Sequence, residues 1–459
     1  MAVAAAEAQK PGRLAIGAWL LFDWAAQPYF TLVTTFVFAP FFASRVASNP
    51  VDGQALWGYS TAAAGLVIAL LSPCLGSIAD AAGRRKPWIA AFSLLLIGGS
   101  LALWFTEPGT ANAVTIALVA FAVGTIGAEF ATVFNNAMMP DLVPEERLGW
   151  LSGTGWAVGY IGGLISLVIA LGLLVADPVS GKTFFGLSPI FGLHPDRFEG
   201  DRASGPFTAI WYVIFVAPLF LLTPDAPRRM GLAAAVRHGL RDLGGTLSRL
   251  RLHANAFRFL VANMIYTDGL VALFAFGGIY AAGTFNWTAI ELGVFGILLT
   301  ITGTIGALIG GRLDDRIGPK RVIGGALTVL VVAIIGILSI DASHVAFVIP
   351  VAPPLPGDGL FASAGEKAYL VLGALIGAVA GPLQSASRSL MARVAPRGQV
   401  TQFFGLFALS GKVTSFFGPL AVGLLTTISG SQRIGISVLV LFFLIGGLLM
   451  IRVRPRRAE

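Results

Sequence analysis

Charge is what this chain has least of. Only 12% of its 459 residues are Asp, Glu, Lys or Arg, about half the share of an ordinary soluble domain, while 56% are hydrophobic. The shortage excludes a soluble all-α protein, whose helices would need polar faces that the long apolar runs lack. Cysteine is scarcer still. A single Cys74 rules out an internal disulfide framework and any zinc-type ligand set, and within an apolar run it reads as a small packing residue. His194, His238, His253 and His344 all fall between apolar runs, so none is placed to relay protons inside one. No Gly-x-x-x-x-Gly-Lys-Ser/Thr phosphate loop is present, which argues against ATP-driven pumping. No nucleophile–base or metal constellation suggests an enzyme. No cofactor and no metal are expected. Met1 to Arg13 is Ala-rich and polar and lacks the layout of a signal peptide, so the first apolar run is expected to be retained.

What is there is apolar sequence in runs of about 18–28 residues, enough for a helix to cross a hydrocarbon layer of about 30 Å at about 1.5 Å per residue. Twelve spans are expected, at about 14–42, 56–79, 87–105, 112–137, 148–175, 207–223, 256–284, 288–313, 321–340, 367–392, 402–427 and 431–451. The fold class is an all-α membrane protein. The net charge of +8 could suggest nucleic acid, but its distribution argues otherwise. Lys10, Arg13, Arg84, Arg85, Lys86, Arg147, the basic cluster at 228–251, Arg312, Arg316, Lys320, Arg321, Arg393 and the tail from Arg452 fall on one side of twelve spans. Arg45, Lys182, Arg197, Arg202, Lys367 and Arg433 fall on the other. The positive-inside rule then places both termini in the cytoplasm. The cell's inner membrane is the expected location, with the lipid bilayer and not nucleic acid as the large partner.

A short motif occurs twice. Gly76-Ser77-Ile78-Ala79-Asp80-Ala81-Ala82-Gly83-Arg84-Arg85-Lys86 closes the second run, and Gly311-Arg312-Leu313-Asp314-Asp315-Arg316-Ile317-Gly318-Pro319-Lys320-Arg321 closes the eighth. Both read Gly-x-x-x-Asp-x-x-Gly-x-basic-basic. A duplicated loop implies duplicated halves: residues 1–223, then a charged linker at 224–254, then 255–459 with a short basic tail. In the linker Leu232, Val236, Leu240, Leu243, Leu247 and Leu250 recur at helical spacing among arginines. A basic amphipathic helix on the inner leaflet and a flexible linker both fit. Asp80 with Arg84 and Arg85, and Asp315 with Lys320 and Arg321, are candidates for a conformational latch, together with Gly76, Gly83, Gly311 and Gly318 of the same motifs. The alternative, plain topology determinants, leaves the matching Asp and Gly positions unexplained.

Ionisable residues inside spans are expensive and usually face a cavity or a partner. They are Asp23, Glu129, Asp268, Arg388 and Lys412. Asp23, Glu129, Asp268 and Lys412 lie about 8–12 residues, or about 12–18 Å, from the basic end of their spans. Asp23 shares a stripe with Gln27, Glu129 with Thr132 and Asn136, and Gln384 with Arg388. Asp23, Glu129 and Asp268 are candidates for proton or cation coupling. Arg388 or Lys412 would pair with a substrate carboxylate or one of those acids. Trp24, Asn136, Trp156 and Tyr160 are candidate substrate walls, and Asp268 with Lys412 can equally be a fixed interhelix pair.

The doubled loop on a twelve-span chain resembles the major facilitator superfamily. Phe22-Asp23-Trp24-Ala25, Tyr266-Thr267-Asp268-Gly269, Gln384-Ser385-Ala386-Ser387-Arg388 and Phe403-Phe404-Gly405-Leu406 resemble its branch of autophagy-related vacuolar effluxers; Ala26-Gln27-Pro28 departs from the Asn-Ser frequent there. The resemblance implies two pseudo-symmetric six-helix halves and alternating access. Spans one, four, seven and ten would line a central cavity. Fungal members are associated with amino-acid efflux from the vacuole. The expected function is therefore a secondary transporter of a small polar metabolite, amino acids among them, efflux-type and coupled to H+, with Na+ left open. A cation-coupled sugar symporter and a non-transporting membrane scaffold or sensor are the alternatives.

Overall fold

The computed structural model describes residues 12–454, apart from 49, 179, 249–252, 286, 288, 353–359, 397 and 412–413. Among the described residues eleven helices are long and apolar enough to cross a membrane. They are span one (Arg13–Val46), two (Leu56–Ala82), three (Lys86–Phe105), four (Ala113–Leu142), five (Glu145–Leu174), six (Glu199–Leu222), seven (Ala254–Phe285), eight (Glu291–Ile317), nine (Pro319–Leu338), ten (Ala364–Val394) and twelve (Gln432–Ile451). Among the described residues the only strands form a hairpin, His344–Val345 against Ile349–Pro350.

Span eleven departs from expectation. It is not one helix over 402–427 but two, Val400–Ser410 and Phe417–Ser429. Glycine and proline set the interruption. Gly411 follows the last residue of the first helix, and Pro419 sits in the first turn of the second, where its missing N–H costs no hydrogen bond. Span one changes character after Pro28, where the α-helix gives way to a wider π-helical stretch, Tyr29–Phe36. Span six starts earlier than its apolar run. The charged turn at its head is tied down by Arg202, which pairs with Glu199 at 3.7 Å and Glu107 at 3.8 Å.

The two halves meet at the end that carries the basic loops. Glycines permit the contact. A Cβ on Gly153 of span five would lie 2.4 Å from the Ala307 carbonyl of span eight, and one on Gly405 of span eleven 2.4 Å from the Ser72 carbonyl of span two. Between the halves runs a helix, Leu232–Ser248, which docks on span two. There the Ser77 hydroxyl donates to the Gly239 carbonyl at 2.6 Å. Leu232, Val236, Arg237 and Arg241 remain exposed on it.

Candidate translocation cavity and inter-half clasps

Span one carries Asp23 and span ten Arg388, and the fold places them face to face between the halves. The Arg388 Nη1 lies 3.0 Å from Asp23 Oδ2 and donates to Asn136 Oδ1 of span four at 3.2 Å. Its Nε donates to the Ser152 hydroxyl at 2.8 Å and its Nη2 to the Ser152 carbonyl at 2.6 Å, both on span five. The guanidinium also stands 5.7 Å from the Trp19 ring and 5.9 Å from the Trp156 ring. One side chain therefore ties span ten to three spans of the other half. Almost all its donors are spent, which is what a buried arginine requires. Space for this comes from Gly155, where a Cβ would lie 2.4 Å from Asp23 Oδ2 and 2.7 Å from Arg388 Nη2.

Beside this pair lies a cavity of about 450 Å³. The first half contributes Asp23, Gln27, Glu129, Asn136 and Trp156 to its wall, and the second Gln384 and Arg388. These seven are brought together from the residues that the sequence singles out. Glu129 shares its helix face with Thr132 and, one turn the other way, Thr125, whose hydroxyl is 3.0 Å from the Tyr29 hydroxyl. Tyr160 stands one layer off. It lines an adjoining, largely apolar cavity of about 530 Å³ and accepts from Gln384 Nε2 at 3.2 Å.

Two candidates lie elsewhere. Trp24 does not line the 450 Å³ cavity; its ring stacks on Trp211 with centroids 5.7 Å apart. One residue along a helix is a turn of about 100°, so the position next to Asp23 faces spans five and six instead. Asp268 is 3% exposed and also does not line the cavity; its backbone packs on the restart of span eleven, where a Cβ on Gly418 would sit 2.3 Å from its carbonyl. Its neighbours Tyr266, Thr267 and Leu270 take the cavity face. Lys412 lies outside the described residues. Sequence reasoning missed Ser152, Asn263 and Tyr266. Asn263, Thr267 and Leu270 recur at three- and four-residue spacing, a stripe visible in the sequence but uncharged.

The repeated motif forms two clasps, each reaching into the other half. Asp80 accepts from the N–H groups of Thr401 (3.1 Å) and Gln402 (2.8 Å) at the start of span eleven. Asp315 accepts from those of Gly149 and Trp150, both at 2.8 Å, at the start of span five. Each carboxylate thus satisfies orphan donors at a helix N-terminus and meets the positive end of its dipole. The first glycine of each motif makes the approach possible: a Cβ on Gly76 would lie 2.6 Å from the Thr401 carbonyl, and one on Gly311 2.7 Å from that of Gly149. The second glycine, Gly83 or Gly318, turns the chain with φ of +91° or +87°.

The cations differ from expectation. In the first clasp Arg85 reaches Asp80 at 4.0 Å, Thr401 at 3.2 Å and Asp141 more closely still, while Arg84 is exposed. In the second neither Lys320 nor Arg321 approaches Asp315. The turn at Gly318 launches span nine away from the clasp, so Lys320 donates to the Ile451 carbonyl at 2.7 Å and Arg321 is exposed. The cation there is Arg393, 3.2 Å from Asp314 and 3.4 Å from Asp315. Asp141 and Arg393 stand at matching places in the last turns of spans four and ten, so the charge at that place is reversed between the halves.

Comparison with known proteins agrees with this architecture. The family described as "Vacuole effluxer Atg22 like" matches residues 146–459. An uncharacterized MFS-type transporter YxiO of Bacillus subtilis is 26% identical over 438 residues, covering 93% of this chain and 92% of its own length. Autophagy-related protein 22 of Cryptococcus neoformans is 25% identical over 290 residues, 62% of this chain and 47% of its own length, so the chain spans about half of that relative. Among solved structures, the transporter FucP in an outward conformation superposes with a TM-score of 0.66 at 15% identity, covering 96% of this chain and 99% of its own. The human organic anion transporter MFSD10 gives 0.68 at 16%, covering 96% and 100%. At such identities these two likenesses speak for the fold alone. With the family match covering most of the chain, the conclusion is that this protein belongs to the vacuole effluxer Atg22-like family and is a multi-pass integral membrane transporter of the major facilitator superfamily.

Proposed function

We propose that the chain is a proton-coupled secondary transporter that exports small zwitterionic metabolites, amino acids first among them, by alternating access in the cell's inner membrane. The observation that carries this reading is the Arg388–Asp23 pair at 3.0 Å on the wall of a cavity that also holds Glu129. A guanidinium recognises a carboxylate, and the two acids suit an ammonium group or a proton. Protonating Asp23 frees Arg388 for a substrate carboxylate, which links proton and cargo binding. Trp156 and Tyr266 offer aromatic walls for an apolar side chain. The family's description as vacuole effluxer-like supports an efflux-type transporter. The basic loops, read by the positive-inside rule, support a cytoplasmic clasped end, and the clasps serve as the latch on that side.

A second reading, a cation-coupled sugar symporter, draws on four amide side chains in the cavity: Gln27, Asn136, Asn263 and Gln384. The test is flux into proteoliposomes with single amino acids, sugars and small organic acids, with and without a pH gradient. The expected result is amino-acid flux accelerated by the gradient, with Glu129→Gln abolishing the acceleration. Sugar flux that follows sodium would replace the first reading by the second. Amino-acid flux with unchanged pH response in Glu129→Gln would remove that residue from coupling.

A further inference from the structure

The two clasps share one plan but not one charge balance. Each sets two carboxylates against one arginine. In the first, Asp141 is 56% exposed, so water carries the surplus negative charge. In the second, the side chains of Asp314, Asp315 and Arg393 are 1%, 18% and 10% exposed, so water reaches Asp315 only at its edge and Asp314 hardly at all. Asp314 is the additional acid, since the matching position in the first copy is Ala79.

Asp315 is well provided for, with two backbone N–H donors and Arg393. Asp314 is not. Its Oδ2 accepts from the Ser389 hydroxyl. Its Oδ1 is buried and, although 3.2 Å from the Arg393 Nη1, receives no directed hydrogen bond. The other charges around it do not compensate. Arg147, in the first turn of span five, is exposed, stacks over Trp150 at 4.6 Å and acts on Asp315 rather than on Asp314. Lys320 of span nine is turned to Ile451. Arg312 and Arg316 are exposed on span eight itself. A buried carboxylate that shares its one cation with another acid and leaves an oxygen unbonded is costly when ionised and is neutralised by a proton.

We propose that the second clasp is a proton-binding site: Asp314 holds an exchangeable proton on Oδ1 while the clasp is shut and releases it when spans five and eight part. The O–H bond forms with a proton taken from water at the basic end and breaks by returning it there, so this proton is separate from any carried through the cavity. Because the shut state binds it more tightly, acid at the basic end favours closure and alkali favours opening. The site does not depend on which cargo the cavity takes.

The test is a distance measurement by electron paramagnetic resonance in lipid nanodiscs. Spin labels go on Glu146→Cys and Leu313→Cys, both exposed positions flanking the second clasp, in a Cys74→Ala background. The expected result is a short-distance population that falls as pH rises, by up to about tenfold in the shut-to-open ratio per pH unit for one proton. Asp314→Asn, which mimics the protonated acid, stays shut across the range, whereas Glu145→Gln, an exposed acid on the same loop, responds like the labelled parent. Ser389→Ala removes a donor that favours the ionised form, and its opening midpoint moves to higher pH, which keeps the test decisive if Asp314→Asn does not fold. A labelled parent whose distances ignore pH, an Asp314→Asn variant that responds like the parent, or an unmoved midpoint in Ser389→Ala would each overturn the proposal.

Discussion

At the scale of single residues, the cavity depends on one ion pair held in a glycine-sized space. Breaking a buried pair by removing one partner costs about 3–5 kcal/mol, because the other charge is left uncompensated. Arg388→Ala is therefore expected to lose both stability and transport. Gly155→Ala tests the geometry without touching a charge. Its Cβ would lie 2.4 Å from Asp23 Oδ2 and cannot coexist with the pair as it stands. The expected outcome is a protein that inserts normally but transports at least about tenfold more slowly; transport at the parent rate would mean that the 3.0 Å pair is dispensable. Charge made this site legible in the sequence. Asp23, Glu129 and Arg388 stood out because an ionisable group within a span needs a reason to be there. The same signal misassigned Asp268, which is just as unusual in the sequence but faces the restart of span eleven. It also passed over Asn263 and Tyr266, which line the cavity without carrying charge. Trp24 was misplaced for a different cause: adjacency in sequence is a turn of about 100° on a helix, so the neighbour of a cavity residue is rarely one itself.

At the scale of elements, helix length and apolarity made the spans legible, and glycine and proline set what apolarity could not show. The run at 402–427 looks uniform to a hydropathy count, yet Gly411 and Pro419 split it into two helices. The duplicated motif was visible as a pattern, but its partners were not. The donors that Asp80 and Asp315 satisfy belong to helix starts 321 and 166 residues away along the chain, respectively, counted to Thr401 and Gly149, and local sequence does not encode that pairing. Span eleven's Gly405 makes the strongest test at this scale. It lets spans two and eleven touch through their backbones, with a Cβ position 2.4 Å from the Ser72 carbonyl. Gly405→Ala is expected to hold those spans apart at the basic end. Maleimide labelling of Ser72→Cys, in a Cys74→Ala background, should then rise at least about fivefold. An unchanged rate would show that the helix pair can absorb the methyl group.

At the scale of the whole molecule, the question is whether the two clasps open as one. Each half reaches across to the fifth span of the other, so a rigid tilt of the halves must break both contacts together. Two loosely coupled gates would break one at a time. Weakening one clasp and reading the other separates these cases. Asp315→Ala deletes an N-terminal cap at the start of span five, worth about 1 kcal/mol or about a fivefold change in an equilibrium. The reader is Ser72→Cys, 1% exposed in the parent and packed in the opposite clasp between spans two and eleven. If the halves tilt as rigid bodies, Asp315→Ala raises the maleimide reactivity of Cys at position 72 about fivefold, although no part of Asp315 approaches it. Adding Asp80→Ala then multiplies that effect, because both caps bias a single equilibrium and distant contributions to one free energy add. If reactivity at position 72 ignores Asp315→Ala and answers only to Asp80→Ala, each clasp guards its own helix pair. A rigid tilt of the two halves then fails as an account of how this transporter opens.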